Sequence, residues 1–176
     1  MTDRVIDTSV LSPFARARRL EQLRDLTSDG KRMVTSSVMG EIRTGAADYP
    51  ELNDVLDLPW IEPVRVDGLD ELRAFAAYAR QLGDDDKRNV GEASVLAYAE
   101  VHGCTAVIDD EVAVQVGRSR HVVVQRTLAL VAQAIRGGLL SEGDAERLVD
   151  ALMAGGGRYP CNGQELIVWL RGRKAL

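Results

Sequence analysis

The sequence predicts one α/β domain built around a mainly parallel sheet. Short β-branched runs alternate with amphipathic helical segments, and two of these runs end directly in aspartates. The chain has 176 residues, of which 45% are hydrophobic, and this is enough apolar surface for the core of one domain. Parallel strands joined by right-handed crossovers end at one edge of a sheet, where ligands bind, so the aspartates mark the predicted site.

The first strand-and-helix unit places a carboxylate at the end of a buried strand. Val5-Ile6 is the β-branched run, and the three residues that follow it, Asp7-Thr8-Ser9, can cap a helix that ends near residues 28–30. The pattern then repeats, with a strand at residues 33–35 and a second helix capped by Ser36-Ser37.

Glu41 lies on this second predicted helix. Val38, Ile42 and Gly45 share one face of the helix. Glu41 stands three residues after Val38, a spacing that places the two side chains next to each other on a helix. The Glu41 carboxylate can therefore reach toward the edge of the sheet.

The middle of the chain predicts one short extended piece and one long helix. Residues 58–64 are flanked by prolines and are typical of a loop with a short extended piece. Leu69 to Leu82 follows as an amphipathic helix that ends at Gly83. The next residues, Asp84-Asp85-Asp86, are predicted to form a solvated loop.

The second half of the chain repeats the alternation. A helix from Asn89 to His102 closes at Gly103, and Thr105 to Ile108 is a β-type run that ends in Asp109-Asp110. Gly155-Gly156-Gly157 ends the regular pattern. The other predicted elements are a helix over 111–116, a strand over 122–124, and helices over 127–136 and 141–153.

Composition narrows the environment and the partners. No uncharged run approaches the roughly 20 apolar residues that cross a bilayer, and no signal segment precedes the first strand, so we expect a cytoplasmic protein. Cys104 and Cys161 lack metal-ligand spacing and the density of a disulfide framework, so we expect reduced structural thiols.

The overall charge disfavours broad electrostatic attraction to nucleic acid. The chain carries 27 acidic and 22 basic residues, a net charge of −5. A phosphate-binding surface must therefore be local. The candidates are Arg16, Arg18 and Arg19, which we favour, the pair Lys31-Arg32, and Arg118 with Arg120 and His121.

Four segments contribute the candidate site residues: Asp7, Glu41, Glu92 and the Asp109-Asp110 pair. Anions gathered in one pocket repel one another and cost stability unless a cation neutralises them, and hard oxygen ligands suit Mg²⁺ or Mn²⁺. Such an ion activates water for phosphodiester cleavage without a protein nucleophile. Each carboxylate also has a structural interpretation, because aspartates cap helices and helical glutamates are commonly exposed charges.

The segments that carry these acids resemble, in order, the four acidic motifs of the PIN domain family. The resemblance covers about Val5 to Val124. The Gly91-Glu92-Ala93 form is similar to a branch whose members continue into a helical C-terminal segment. The resemblance therefore implies a PIN-like domain over residues 1–126 and a helical segment over 127–176 packed on the same domain. The matching segments are Val5 to Leu11, Ser36 to Ile42, Gly91 to Ala97 and Val107 to Asp110.

The resemblance also implies a fold, an activity and partners. The fold is a three-layer α/β/α domain, and the activity is ribonuclease cleavage that depends on Mg²⁺ or Mn²⁺. Many family members are toxins of VapC type, so single-stranded RNA, an antitoxin protein and a second copy of the chain are the expected partners.

Individual site residues are assigned from the same resemblance. Asp7 matches the first metal-site acid and Glu41 the second, and Ser9 matches the hydroxyl that supports the first acid by a hydrogen bond. Glu92 stands where many family members have aspartate, so its ligand arm is one methylene longer. Either residue of the Asp109-Asp110 pair can face the ion. We expect both near the site, with one acting through water.

Two other functions are alternatives to nuclease activity. One is a catalytically degenerate PIN-like module that binds RNA or protein, which the acidic net charge supports. The other is a haloacid-dehalogenase-like phosphatase, which position 9 disfavours because Ser9 leaves no acid two residues after Asp7. A hydrolytic triad is not indicated, since Ser9 lacks a G-x-S-x-G elbow and a nearby histidine in the sequence.

Overall fold

A computed structural model describes residues 1–83 and 89–176 of the protein. Within them, five strands form one sheet in the order β3-β2-β1-β4-β5, and every neighbouring pair is parallel. The predicted parallel sheet is therefore confirmed. The strands are β1 (Arg4–Ile6), β2 (Arg32–Thr35), β3 (Glu62–Val64), β4 (Thr105–Val107) and β5 (Val124–Gln125).

Ten α-helices lie in the described part of the chain, with a short 3-10 turn at Pro50–Leu52 before the fourth. The first five are α1 (Thr8–Arg16), α2 (Leu20–Leu26), α3 (Ser36–Gly45), α4 (Asn53–Leu56) and α5 (Leu69–Leu82). The others are α6 (Val90–His102), α7 (Glu111–Ser119), α8 (Thr127–Arg136), α9 (Glu142–Ala154) and α10 (Gly163–Gly172).

Helices cover the sheet to give the predicted three-layer α/β/α arrangement. Helix α6 packs against β1, β2 and β4, and α5 packs against α6. A second group connects α1 to α2 and α9, and connects α8 to α2 and α9. Helix α6 is apolar on nearly every side because it lies between the sheet and other helices, and Val95, Leu96 and Ala97 in it are fully buried.

The two central strands end together at one edge of the sheet. In the pairing of β1 with β4, Arg4 lies opposite Thr105 and Ile6 lies opposite Val107. The residues that follow them, Asp7 after β1 and the Asp109-Asp110 pair shortly after β4, are therefore brought to the same edge. This register positions the site.

Several predicted elements differ from the observed ones. The first predicted helix is two helices, α1 and α2, because Arg18 between them has a φ of 55°, which a right-handed helix does not contain. The last strand lies at Val124–Gln125 rather than at 122–124. Helix α10 lies inside the C-terminal segment that the resemblance predicts to be helical, but the sequence pattern assigned no individual helix there, although Asn162 and Glu165 form a capping box at its start.

Other sequence-based expectations concern single features. Cys104 and Cys161 are buried free thiols. In the part of the chain that the structure describes, no helix is long and apolar enough to cross a membrane. The predicted solvated loop Asp84-Asp85-Asp86 lies outside the described residues.

Candidate metal centre

Asp7 is a buried carboxylate with one oxygen left without a partner. The residue is 1% exposed and caps α1, where its Oδ2 accepts a hydrogen bond from the backbone N–H of Ser9 at 2.8 Å. Its Oδ1 is buried and has no hydrogen-bond partner among the described residues. Burial raises the pKa of Asp7 from 3.8 to about 6, the nearby Ser9 hydroxyl and backbone oppose that rise, and repulsion from Glu41 adds to it.

Glu41 reaches across from α3 to the start of α6. Its Oε1 accepts a hydrogen bond from the backbone N–H of Gly91 at 2.9 Å, and its Oε2 accepts one from the Thr8 hydroxyl at 2.5 Å. A Cβ atom at position 91 would lie 2.5 Å from Oε1 and 2.6 Å from Oε2. Glycine at position 91 is therefore what allows the carboxylate to rest on the positive end of α6.

Glu92 supplies the second buried carboxylate oxygen without a partner. Its Oε2 is buried and makes no hydrogen bond within residues 1–83 and 89–176. Burial raises the pKa of Glu92 from 4.5 to about 8, and repulsion from Asp7, Glu41 and Asp110 adds to the rise. The charges of these four carboxylates therefore act on one another at the carboxyl edge of the sheet.

The two adjacent aspartates after β4 have different roles in the structure. The Asp109 carboxylate accepts hydrogen bonds from the backbone N–H of Thr127 at 2.8 Å and from its hydroxyl at 2.6 Å, so it is directed toward α8. Asp110 is exposed and caps α7 through the backbone N–H of Ala113, at 2.9 Å. Asp110 is the member of the pair whose charge raises the pKa of Glu92.

Ser9 joins the ends of the two central strands. Its backbone N–H binds Asp7, and its Oγ accepts a hydrogen bond from the backbone N–H of Asp109 at 3.0 Å. The structure thus brings Asp7, Glu41, Glu92 and Asp110 together, turns Asp109 toward Thr127, and uses Ser9 to hold β1 and β4 in place.

Sequence reasoning missed the residues that orient these acids. Thr8 and the backbone of Gly91 hold Glu41, as described above. Behind them, the Ser94 hydroxyl donates to the Gly91 carbonyl oxygen at 2.7 Å and also lies 2.7 Å from the Thr35 hydroxyl. The Gly91-Glu92 pair was the available signal, because a glycine inside a helix has a conformational cost and is retained for close packing.

The side chains present fit a hard cation, although they do not form a complete ligand set. Among residues 1–83 and 89–176, no three His, Cys, Asp or Glu side chains are arranged to hold one ion. Thr8 and Gly91 already engage the Glu41 carboxylate. The atoms that suit a divalent cation are Asp7 Oδ1 and Glu92 Oε2, which are oxygen ligands without another partner.

The fold and the site together define an α/β/α domain with a cluster of carboxylates at the carboxyl edge of a parallel sheet. The chain belongs to the PIN domain family, since the model of that family matches residues 3–167. The resemblance predicted from the four acidic motifs is thereby confirmed. PIN domains are generally nucleases that use divalent metal ions.

A solved structure supports the same fold. The chain is similar to VapBC2 from Rickettsia felis bound to a DNA fragment from its promoter, with a TM-score of 0.52 and 12% sequence identity. The alignment covers 71% of this chain and 98% of that chain. No curated protein matches the chain significantly.

Proposed function

We propose that the protein is an endoribonuclease that hydrolyses RNA phosphodiester bonds with Mg²⁺ or Mn²⁺. The observation that carries this proposal is the pair of buried, unpartnered carboxylate oxygens on Asp7 and Glu92, which repel each other when both carboxyls are ionised. Burying such anions costs folding energy, and perturbed carboxylates of this kind are concentrated at functional sites. A divalent cation would neutralise this repulsion and would be a partner for both oxygens. Membership of the PIN family supports the same chemistry.

Four carboxylates of this chain would serve the ion. Asp7 and Glu92 would hold it through their unpartnered oxygens, and Glu41 and Asp110 would add negative charge nearby. We assign Asp110 rather than Asp109 to the site because Thr127 engages the Asp109 carboxylate. When bound, a divalent ion supplies Lewis acidity that lowers the pKa of water and stabilises charge on the phosphate.

The remaining residues keep the acids in position. The Ser9 N–H fixes one oxygen of Asp7 and leaves the other directed away from that bond. Thr8 and Gly91 hold Glu41 against α6. With a pKa of about 8, Glu92 carries a proton at neutral pH in the metal-free protein, and a cation would displace that proton.

We also propose that the nuclease is the toxin of a toxin–antitoxin pair. The PIN family and the likeness of the fold to VapBC2 support this assignment. An antitoxin protein would then be its partner, and single-stranded RNA its substrate.

A second candidate is a PIN-like module that binds RNA or protein without cutting it. One observation favours this function: the Glu41 carboxylate is satisfied by Thr8 and Gly91 without a metal ion. Such a module would retain the fold and the acidic cluster but would not turn over a substrate.

A digestion panel separates these functions. Wild type, Asp7→Asn and the control Asp54→Asn, which changes an exposed aspartate on α4, are incubated with single-stranded RNA, single-stranded DNA or a small phosphomonoester. Each reaction is run with Mg²⁺, Mn²⁺ or EDTA. Wild type and Asp54→Asn should cleave RNA only with metal, and Asp7→Asn should lose nearly all activity.

Three outcomes contradict the nuclease. Equal cleavage in EDTA, or by Asp7→Asn, would exclude a metal-dependent reaction at this site. Hydrolysis of the phosphomonoester alone would indicate a phosphatase. RNA binding without cleavage under any condition would support the non-catalytic module.

A further inference from the structure

A cleft adjoins the segment that carries Asp109 and Asp110. Its volume is about 610 Å³, within the roughly 300–1,000 Å³ of small-molecule sites. Its walls come from the segment after β4, helix α7, strand β5, the start of α8, residues 158–160, helix α10 and the residues that follow α10. Of the residues that line the cleft, Asp109 alone belongs to the four acidic motifs. The function proposed above therefore does not account for the cleft.

The cleft is cationic in a protein whose net charge is −5. Its two acidic lining residues are already engaged, Asp109 with Thr127, and Glu111 with Arg126 at 2.5 Å. Four guanidinium groups line the cleft. Three of them form no salt bridge with any carboxylate in the described part of the chain. These three are Arg118, Arg158 and Arg173.

Aromatic side chains stand among these cations. Trp169 on α10 and Tyr159 line the cleft, and the guanidinium carbon of Arg173 lies 4.5 Å from the centroid of the Trp169 ring. Bases of single-stranded nucleic acid stack on aromatic rings and on guanidinium planes, while arginines bind their phosphates. The composition of the cleft therefore suits a nucleotide of a single strand better than an apolar or purely anionic ligand.

The cleft and the acidic site share one short segment. Asp109 and Glu111 line the cleft, whereas Asp110, between them, acts on Glu92 in the acidic site. A strand with one phosphate at the acidic site would extend neighbouring nucleotides past this segment into the cleft. We propose that the cleft binds the single-stranded RNA that flanks the scissile phosphate, with the arginines on its phosphates and the aromatic residues on a base. This inference rests on the nuclease function proposed above.

Binding in EDTA tests the cleft without cleavage. The affinity of a fluorescein-labelled single-stranded RNA is measured by anisotropy for wild type, for Arg158→Gln with Arg173→Gln, and for the control pair Arg73→Gln with Arg147→Gln. The control arginines are exposed and lie on α5 and α9, and their substitution removes the same amount of charge. The melting temperature of each variant is measured as well, so that the affinities for all four substituted positions are compared between folded proteins.

The cleft pair should weaken RNA binding at least tenfold, and the control pair less than about twofold. The slope of log affinity against log salt should fall by about 1.4 in the cleft pair, since each phosphate contact to a single strand contributes about 0.7. Arg158→Lys with Arg173→Lys, which keeps the charge, should recover part of the affinity. The chain has two tryptophans, so Trp169 alone remains in a Trp60→Phe variant. RNA binding should quench the fluorescence of Trp169 in that variant.

Equal RNA affinity in the cleft pair and the control pair would overturn the inference. A second result would also overturn it: a polyglutamate peptide binds wild type and loses affinity for the cleft pair, while RNA binding stays unchanged. The cleft would then bind an acidic protein segment. Failure of the nuclease function has a different signature. Wild type would not cleave RNA with Mg²⁺ or Mn²⁺, while its RNA binding in EDTA would still depend on Arg158 and Arg173.

Discussion

Replacing Asp7 with asparagine should stabilise the metal-free protein at neutral pH. Asp7 is 1% exposed and its Oδ1 has no hydrogen-bond partner in the described part of the molecule. Burial, with repulsion from Glu41, raises the pKa of its carboxyl from 3.8 to about 6. Asparagine keeps the size of the side chain and the oxygen that caps α1, but it carries no charge.

The size of the effect follows from the pKa. Each pKa unit corresponds to about 1.36 kcal/mol, so the rise from 3.8 to about 6 makes ionised Asp7 cost about 3 kcal/mol at pH 7. Because the folded-state pKa is the higher one, stability is greatest below pH 3.8 and is lost as the pH rises through 6. For a chain of this length about 3 kcal/mol corresponds to roughly 6–12 °C in melting temperature. Asp7→Asn should gain up to that amount at pH 7 and almost nothing at pH 4.

Thermal unfolding in EDTA, followed by circular dichroism at pH 4 and pH 7, measures this effect. Asp54→Asn changes an exposed aspartate and should leave the melting temperature nearly unchanged at both pH values. A lower melting temperature for Asp7→Asn at pH 7, or an equal change at pH 4 and pH 7, would refute the assignment of Asp7 as a strained buried charge.

Three further predictions concern other parts of the molecule. Gly91→Ala should displace the Glu41 carboxylate, because a Cβ added at position 91 would lie 2.5 Å from one of its oxygens. The free energy of unfolding should fall by about 1–3 kcal/mol, and the Mn²⁺ affinity measured by calorimetry should fall with it. The control Gly40→Ala, whose added Cβ has no atom within 4 Å, should stabilise α3. Glu71→Gln should lower the melting temperature at pH 6, and this loss should shrink as the pH is lowered below 4.5. The hydrogen bond from His102 at 2.6 Å lowers the pKa of Glu71 below 4.5, so its stabilisation is present above pH 4.5 and is lost as the pH falls through the folded-state pKa. Sedimentation velocity at micromolar concentration should show a dimer, since Leu139, Met153 and Val168 in the C-terminal part are exposed apolar side chains, and a monomer would contradict this prediction.

Elements with strong local signals could be predicted from the sequence. The observed bounds of α5, Leu69–Leu82, and α8, Thr127–Arg136, equal the predicted ones, because their apolar periodicity and end residues are local features. The break at Arg18 was missed because it depends on one residue with positive φ, and nothing in the surrounding composition marks that conformation.

The sequence could identify the candidate acidic residues, but it could not predict how their side chains are oriented. The roles of Asp109 and Asp110 differ because Thr127 lies beside one of them, 18 residues away along the chain. The contact of Glu41 with Gly91 spans 50 residues, and that of Asp109 with Ser9 spans 100. The cleft is a stronger case, since Arg158 and Arg173 belong to no motif and meet Arg118 only in the folded chain.

Calorimetric titration with Mn²⁺ at pH 7 tests most directly whether the acidic cluster is a metal site. Wild type, Asp7→Asn, Glu92→Gln and the control Asp54→Asn are compared under identical conditions. Wild type and Asp54→Asn should bind Mn²⁺ with release of the Glu92 proton, and both site variants should bind at least tenfold more weakly, because each lacks one of the two unpartnered buried oxygens as an anionic ligand. Equal Mn²⁺ uptake by wild type and Asp7→Asn, or no uptake by wild type at millimolar Mn²⁺, would contradict a divalent metal site formed by these carboxylates.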